Sequence, residues 1–193
     1  VNLQGGLNPD LPLRYYTDLL TEIRNQYANL HITAYSPVEV SFLARKGRTT
    51  YADILGKMRD AGLNMLNGTA ADILNDKLRK KLSADKLRTG DWIDVIKTAH
   101  GMGIKTTATI LFGHVENEIH ICEHLEIIRH IQGQTGGFTE FQAWPFIPEP
   151  RRSRNETSKP SRPSRLQEYS YQPAWLWMPC KPTTRPRASP WDG

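Results

Sequence analysis

Between Lys105 and His114 the chain is KTTATILFGH, in which β-branched and apolar residues run up to a glycine. This composition predicts a strand that ends at Gly113. Residues 116–132 (ENEIHICEHLEIIRHIQ) carry apolar side chains at helical spacing, and residues 136–146 (GGFTEFQAWPF) predict a second strand. Two strands joined by a helix are typical of parallel pairing, because a parallel connection needs a long crossover.

Alternating strand and helix patterns fill residues 1–148. Strands are expected to start near residues 30, 63, 105 and 138, with helical segments between them. This order favours an α/β fold with a parallel sheet. Some strands carry polar residues on one face, which suits a partial TIM-type barrel whose interior forms a site; an open doubly wound sheet is the alternative. These polar residues are Thr107, Thr109, Glu140 and Gln142.

Two segments carry helix-capping signals. Ser36 is expected to be an N-cap, with Pro37 in the first helical position and Glu39 completing a capping box. Asp72 lies three residues after a threonine, the same spacing, which predicts a helix over 69–82 (TAADILNDKLRKKL). A functional interpretation is equally open, because a carboxylate beside a helix start at the carboxyl end of a strand can grip ribose hydroxyls.

The character of the sequence changes after Pro148. Residues 149–193 (EPRRSRNETSKPSRPSRLQEYSYQPAWLWMPCKPTTRPRASPWDG) hold eight of the 13 prolines and show no helical or strand periodicity. At this density of proline we expect a disordered tail rich in Pro, Arg and Ser. Its three tryptophans favour translation out of the natural frame; a proline-rich docking tail is the alternative.

The distribution of charge argues against a nucleic-acid partner. The formal net charge is +5, yet residues 1–150 hold 16 Lys and Arg against 17 Asp and Glu, and residues 151–193 hold 9 against 3. The basic character therefore belongs to the tail, whereas a nucleic-acid footprint lies on a folded domain or an organised arm. The longest apolar runs are too short to cross a bilayer and no signal peptide is visible, so we expect no membrane association and a cytoplasmic location.

Metal-binding patterns are weak. Cys122 and Cys180 form neither a metal-ligand spacing nor a disulfide framework. The stretch His120–His124 (HICEH) matches the H-x-x-E-H pattern of one zinc-protease class, with Glu123 as the base. The same helical turns carry an apolar stripe, which favours a packing helix. We therefore expect no metal ligands in this chain.

His114 directly follows the strand that begins at Lys105. A histidine at the carboxyl end of a parallel strand is well placed to act on a ligand, because α/β folds bind their ligands at that edge. A histidine that merely satisfies hydrogen bonds is the alternative.

Five segments stand in the order and spacing of one known family: QGGLNPDLPLRYYTDLL, HITAYSPVEV, GLNMLNGTAADILND, TAHGMGIKTTATILFGHVE and QTGGFTEFQAWPFIP. Together they resemble the radical S-adenosylmethionine (SAM) enzymes that build deazaflavin and menaquinone precursors, over residues 2 to about 148. GTAAD and GFTEF resemble the FO synthase subunit 2 branch. The menaquinone branch (aminodeoxyfutalosine synthase and cyclic dehypoxanthinyl futalosine synthase) is expected to carry GGGAE and GF-x-A-F there, and it stays the alternative.

The resemblance implies a chemistry and a set of partners. A 4Fe-4S cluster would reduce SAM, and the resulting 5′-deoxyadenosyl radical would oxidise L-tyrosine. The hydroxybenzyl group of tyrosine would then be joined to 5-amino-6-(D-ribitylamino)uracil. FO synthase subunit 1 is an implied partner, and the implied fold is the second to sixth strands of the family's barrel.

The resemblance also implies a SAM site and a substrate cavity. Gln4, Gly5 and Gly6 match the glycine motif that meets the methionine group of SAM. Asp72 matches an acidic residue expected at the SAM ribose, and Arg79 is expected at the SAM carboxylate. Residues expected to face the substrate cavity are Tyr35, Ser36, Thr107, His114 and Glu140, of which His114 and Glu140 are the candidate catalytic residues.

The chain departs from the family pattern at several positions. Asp72 stands where Glu is usual, Thr33 where a second histidine is often found, and residues 83–86 (SADK) where Cys-Pro-Asp-Lys is common. The family's cluster motif C-x-x-x-C-x-x-C lies upstream of the glycine motif, and neither Cys122 nor Cys180 can replace it. We therefore expect an internal fragment that does not cleave SAM by itself; a non-catalytic remnant or binding module is the alternative.

Overall fold

In the described part of the chain, five parallel strands form one sheet and follow one another in sequence order. The computed structural model describes residues 1–83 and 85–147, so the predictions about residues 149–193 lie outside the described residues. The strands are β1 (Asn2–Leu3), β2 (Thr33–Ala34), β3 (Met65–Leu66), β4 (Lys105–Phe112) and β5 (Phe138–Pro145). The helices are α1 (Leu13–Gln26), α2 (Pro37–Gly47), α3 (Tyr51–Asp60), α4 (Asp76–Leu82), α5 (Thr89–Gly101) and α6 (Glu118–Thr135).

The strand order distinguishes the two expected architectures. A doubly wound sheet reverses its order at a switch point, whereas a barrel adds each new strand on the same side of the last. Here the order is β1-β2-β3-β4-β5 and every neighbouring pair is parallel. The prediction of a partial TIM-type barrel is therefore confirmed.

Two of the apolar clusters in the described residues pack most of the helices against the sheet. The first joins α1, α2 and α3 to β2 and β3 and contains the fully buried Leu20 and Leu66. The second joins α5 and α6 to β4 and β5, around the fully buried Trp92 and Ile128. The Trp92 indole N–H donates to the Thr69 carbonyl at 3.1 Å, so the loop after β3 is attached to α5.

The polar residues expected on one face of the sheet lie opposite the helices. Ala108 packs into the second cluster, and the side chains that alternate with it point away from α5 and α6. In the register of β4 with β5, Thr107 pairs with Glu140 and Thr109 with Gln142. This inner face leads toward the carboxyl ends of the strands.

The helix expected over residues 69–82 begins later than predicted. Helix α4 starts at Asp76, with Asn75 as its N-cap accepting from the Leu78 N–H at 3.3 Å. The prediction of a helix start at Thr69 was wrong, because Ala70 and Asp72 adopt left-handed φ angles of 60° and 44° that no right-handed helix contains. The preceding residues form an irregular loop instead.

The capping box expected at the start of α2 is only partly present. Ser36 is the N-cap and Pro37 occupies the first turn, as predicted. The Ser36 hydroxyl, however, caps no backbone N–H and donates instead to Glu39 Oε2 at 2.8 Å. The hydroxyl half of the capping-box prediction was therefore wrong, because the Ser36 hydroxyl donates to the Glu39 carboxylate instead of accepting from a backbone N–H.

Two histidines are held neutral by burial. His100 contacts the hydroxyls of Thr135 (2.7 Å) and Thr106 (2.9 Å), and burial lowers its pKa to about 4. His124 is fully buried and accepts from the Leu74 N–H through Nδ1 at 3.1 Å. Burial lowers the pKa of His124 to about 3. Each ring is therefore unprotonated in the folded chain at neutral pH.

Acidification is expected to destabilise the fold through these two rings. In the unfolded chain both would titrate near their ordinary pKa of 6.5, so the unfolded state binds more protons below that pH and stability falls until the folded pKa values are reached. His124→Asn keeps an acceptor for Leu74 but does not titrate. We expect its thermal midpoint to drop less than that of the natural chain between about pH 7 and about pH 5. Equal drops would contradict this assignment.

Candidate functional site

The carboxyl ends of the five parallel strands meet at one edge of the sheet, where backbone strain concentrates. Four described non-glycine residues have left-handed φ angles: Tyr35, Arg48, Ala70 and Asp72. Arg48 is an ordinary helix C-cap after α2. The other three follow β2 or β3, where strain of about 1–3 kcal/mol per residue is typical of functional positions.

Tyr35, expected to face the substrate cavity, instead packs beneath α1. Its φ of 59° turns the side chain into the first apolar cluster, where it is 3% exposed. The hydroxyl donates to the Tyr16 carbonyl at 2.7 Å, and the two rings meet edge to face. Burial raises the pKa of Tyr35 far above its ordinary value. In this arrangement the phenol is a structural hydrogen-bond donor.

The glycine turn after β1 lies over a buried carboxylate. Gln4, Gly5 and Gly6 are exposed, whereas Glu39 from the first turn of α2 is only 4% exposed. A Cβ on Gly5 would lie 3.0 Å from Glu39 Oε1. Ser36 occupies Oε2, and within the described residues Oε1 has no hydrogen-bond partner. The turn and the carboxylate are therefore in direct contact.

Asn67 ties the ends of three strands together. Its side-chain amide donates to Asn2 Oδ1 at 3.0 Å and to the Leu3 carbonyl at 3.1 Å, and its backbone N–H donates to the Tyr35 carbonyl at 2.9 Å. The residue is 2% exposed. One buried amide thus fixes the distance between the turns that follow β1, β2 and β3.

Gly68 follows β3, and its backbone is bound to β4 by two threonine hydroxyls. Its N–H donates to the Thr107 hydroxyl at 2.8 Å, and its carbonyl accepts from the Thr109 hydroxyl at 3.2 Å. Thr107, an expected substrate contact, is 5% exposed. Its hydroxyl is already engaged in holding this loop.

Arg79 organises the loop between Gly68 and α4. The residue is 2% exposed, and its guanidinium donates to backbone carbonyls on both sides of α4. Nε donates to Leu87 at 2.7 Å, and the other donors reach Ala70 at 3.1 Å, Ala71 and, more weakly, Ile73 at 3.4 Å. Its expected role at a SAM carboxylate stays a prediction, and the guanidinium is engaged with the backbone here.

Asp72 forms an ion pair with Lys86. The two side chains are 20% and 28% exposed, and the ammonium of Lys86 donates to Oδ2 of Asp72. The Asp72 carbonyl accepts from the Leu111 N–H at 2.9 Å, which anchors the loop to β4. Asp72 therefore stands at the strand edge as expected, with a cation beside it that the sequence interpretation did not include.

The Glu116 carboxylate holds the turn after β4 through hydrogen bonds from the backbone. Glu116 accepts from the backbone N–H groups of Gly113, His114 (3.1 Å) and Val115 (3.0 Å), and these hydrogen bonds oppose desolvation and hold its pKa below the ordinary value. The exposed His114 ring lies 4.1 Å from the Phe146 ring, centre to centre. Glu116 thus fixes the backbone that carries the candidate catalytic histidine.

Removing this carboxylate is expected to loosen the turn locally. Glu116→Ala takes the acceptor from three amides and should cost about 1 kcal/mol of global stability, because the freed N–H groups can bind water. Amide hydrogen exchange at Gly113, His114 and Val115 should accelerate strongly. Glu22→Ala on α1, which removes a single exposed carboxylate, is the matched control. Unchanged exchange at these three amides would contradict their hydrogen bonds to Glu116.

The inner face of β5 carries a row of hydrogen-bonded side chains. Gln142 donates to Glu140 Oε1 at 2.7 Å, and Trp144 donates to Gln142 Oε1 at 3.2 Å. Glu140 and Trp144 are exposed. Glu140, the second candidate catalytic residue, is therefore on the open side of the sheet, next in register to Thr107.

Sequence reasoning found the edge but missed several residues that shape it. The glycine turn, Asp72 and His114 all lie at the carboxyl ends of strands, as predicted. Glu39 was interpreted only as a capping residue, and Glu116 only as a residue of the helix pattern. Lys86 is 14 residues from Asp72, and no local pattern pairs them.

The side chains of the H-x-x-E-H pattern have other partners. His120 Nδ1 accepts from the Asn117 N–H at 3.2 Å, Glu123 accepts from Asn75 at 3.1 Å, and His124 is buried against Leu74. Within residues 1–83 and 85–147, no three His, Cys, Asp or Glu side chains group so as to hold a metal ion. No helix in this part of the chain has the length and apolar character that a bilayer crossing requires.

Comparison with known proteins gives a consistent result. The profile of the radical SAM superfamily matches residues 2–128. An FO synthase of Nocardia farcinica is 43% identical over 147 residues, which are 76% of this chain and 17% of that protein. The 5-amino-6-(D-ribitylamino)uracil–L-tyrosine 4-hydroxyphenyl transferase of Methanothermobacter thermautotrophicus is 43% identical over 75% of this chain and 40% of its own length. Transferase 1 of Methanosarcina barkeri is 43% identical over 77% and 39%.

The chain thus spans about two fifths of the transferases and about a sixth of the FO synthase. The matched region includes the glycine turn, the loop after β3 and the His114 turn, which the sheet brings to one edge. By this match and this geometry the chain belongs to the radical SAM superfamily.

Proposed function

We propose that this chain forms the SAM- and substrate-binding part of a transferase that joins the hydroxybenzyl group of L-tyrosine to 5-amino-6-(D-ribitylamino)uracil. The observation that carries the proposal is 43% identity, over three quarters of the chain, to proteins that bear this name. Support also comes from the glycine turn, Asp72 and His114, which lie at one edge of a parallel sheet. Association with FO synthase subunit 1 and a cytoplasmic location stay predictions.

The described residues suit SAM in two respects. Gly5 offers a turn without a side chain, in contact with the buried carboxylate of Glu39. Asp72 presents a carboxylate that can accept from ribose hydroxyls, provided that Lys86 shares or releases it. SAM, when bound, would supply the radical chemistry for which the family is named. The contribution of these residues is to bind and orient it.

The described residues do not suit an iron–sulfur cluster. No group of three His, Cys, Asp or Glu side chains comes together between residues 1 and 147, residue 84 excepted. Cys122 on α6 is half-buried and far in sequence from the glycine turn. We propose that the cluster is ligated by residues outside this described part, and we assign no step to it here.

For the substrates, the chain offers an exposed histidine and a row of polar side chains on the inner face of β5. The exposed His114 ring can accept a proton from the tyrosine phenol, because an imidazole has a nitrogen that serves as an acceptor. Glu140 and Gln142 present an acceptor and an amide along the inner face of β5. Such groups suit the polar edges of a pyrimidine ring.

The test supplies L-tyrosine, the ribitylaminouracil and SAM, with reductant, to the complete protein that contains this chain and to residues 1–193 alone. Mass spectrometry should find the coupled product with the complete protein only. Turnover of a futalosine-pathway substrate without coupled product would instead assign the menaquinone branch. Release of 5′-deoxyadenosine by residues 1–193 alone would overturn the expectation that this chain is inactive by itself.

A further inference from the structure

Three side chains of β5 form one hydrogen-bonded row, which we name the β5 row: Glu140, Gln142 and Trp144. The Trp144 indole N–H donates to Gln142 Oε1 at 3.2 Å, and Gln142 Nε2 donates to Glu140 Oε1 at 2.7 Å. An indole nitrogen only donates and a carboxylate only accepts, so these two neighbours fix which end of the amide is oxygen and which is nitrogen. The Gln142 amide is therefore held in one orientation along the strand.

A β-bulge sets the face on which this row lies. The register of β5 with β4 shifts between Phe138 and Glu140, which leaves Thr139 as an extra residue in β5. Phe138 and Phe141 both pack into the second apolar cluster, although residues three apart in a regular strand point to opposite faces. Bulges that re-aim side chains in this way are frequent beside active sites. The bulge thus turns the β5 row, and not the phenylalanines, toward the inner face of the sheet.

The β5 row keeps hydrogen-bonding capacity that a ligand can use. A side-chain amide has two N–H donors and two carbonyl lone pairs, and the row itself uses one of each in Gln142. The Glu140 carboxylate is an exposed acceptor, and Trp144 is 54% exposed among the described residues. In order along the strand, the row therefore presents an acceptor, a donor, an acceptor and an aromatic face.

This order of groups specifies the chemistry of a matching ligand. An edge that presents a donor, an acceptor and a donor pairs with the three polar groups of the row. The cyclic ureide of a pyrimidinedione, which reads N–H, C=O, N–H, is such an edge. Its flat ring can at the same time lie against the Trp144 ring, as bases stack on aromatic side chains. The phenol of tyrosine has a single hydroxyl and lacks this alternation.

We propose that the β5 row binds the ureide edge of a pyrimidinedione ring. The Gln142 amide pairs with the central C=O and one N–H, the Glu140 carboxylate accepts from the other N–H, and Trp144 stacks on the ring. The inference deepens the proposed function and rests on it for identifying this ring with 5-amino-6-(D-ribitylamino)uracil. It makes Glu140 a substrate-binding residue and assigns the pyrimidine, not L-tyrosine, to β5.

The experiment compares two probes on the full chain by isothermal titration. The first, 5,6-diaminouracil, has the ureide edge, whereas both ring N–H groups are methylated in the second, 5,6-diamino-1,3-dimethyluracil. We expect the natural chain to bind the first about ten- to a hundredfold more tightly, because the second leaves two acceptors of the row unpaired. Gln142→Glu replaces the central donor by an acceptor and should weaken the binding of 5,6-diaminouracil about tenfold or more. The affinity for L-tyrosine should be the same in both chains.

Two further variants complete the comparison. Gln26→Glu on α1 is the matched control, because the exposed Gln26 amide also donates to a glutamate, Glu22, at 2.9 Å. It should leave the affinities for both probes unchanged. Trp144→Ala removes the stacking surface and should weaken both probes about tenfold, since stacking does not depend on the ring N–H groups.

Equal affinity of the natural chain for the two probes, binding of neither probe, or unchanged affinity in Gln142→Glu would overturn the inference. Loss of L-tyrosine binding in Gln142→Glu without loss of the pyrimidine would do the same. If thermal unfolding shows that Gln142→Glu does not fold, Trp144→Ala decides, and its unchanged affinity for 5,6-diaminouracil overturns the inference. Failure of the proposed function is a separate observation: coupled product would be missing from the complete protein, even where ureide-dependent binding is found.

Discussion

Gly68→Ala is expected to disrupt the fold more than any other single methyl addition in the described chain. A Cβ at Gly68 would lie 2.5 Å from the carbonyl carbon of Thr107, closer still to its oxygen, and 3.2 Å from the Ala108 nitrogen. These are backbone atoms of strand β4, so the clash cannot be relieved by moving a side chain. We expect a loss of about 4 kcal/mol or more, measured by urea unfolding, or a chain that does not fold.

Gly90→Ala is the matched control for this prediction. Gly90 lies in the first turn of α5, and an added Cβ there meets no atom within 4 Å. Alanine in a helix restricts the unfolded chain, so this variant should be equally stable or gain about 0.5–1 kcal/mol. If Gly68→Ala unfolds at the same urea concentration as Gly90→Ala, the close approach of β3 to β4 is not as described.

The contrast between these glycines shows what local sequence can predict. A helical segment before residue 105 and the strand from Lys105 follow from the composition of each segment, and both were predicted. The role of Gly68 depends on hydroxyls of Thr107 and Thr109, which are 39 and 41 residues away. A pattern within one segment contains no information about such a contact, so the segment that follows Gly68 was interpreted as a helix start or as the place of a ribose-binding carboxylate.

The candidate site likewise has a part that local sequence predicts and a part that depends on distant residues. The edge itself was predictable, because parallel strands place their carboxyl ends together and the motifs after them fall there. The internal partners were not. Asp72 was predicted without Lys86, and Glu39 was interpreted as a cap because its three-residue distance from Ser36 satisfies a local rule. The partner of Asp72 lies 14 residues away across a loop, and the burial of Glu39 is a property of the assembled sheet.

Arg79→Met is the second prediction with a large expected effect. The guanidinium is 2% exposed and donates to the carbonyls of Ala70, Ala71, Ile73 and Leu87. Methionine fills similar volume but leaves these carbonyls without their donors, which should cost about 3–5 kcal/mol in urea unfolding. Arg79→Lys keeps the charge but not the planar fork, and should recover about half of the loss or less.

The same pair of variants tests the expected role of Arg79 at a SAM carboxylate. If the guanidinium mainly organises the loop, the free energy of unfolding falls in both variants. Arg14→Met is the control. It should change the free energy of unfolding by no more than about 0.5 kcal/mol, because the Arg14 side chain is 86% exposed and pairs at the surface with Asp18. If the Arg79 guanidinium mainly binds ligand, Arg79→Met unfolds like the natural chain and loses only SAM affinity. The four carbonyl contacts favour the first result, since a guanidinium has five N–H donors and the loop engages most of them.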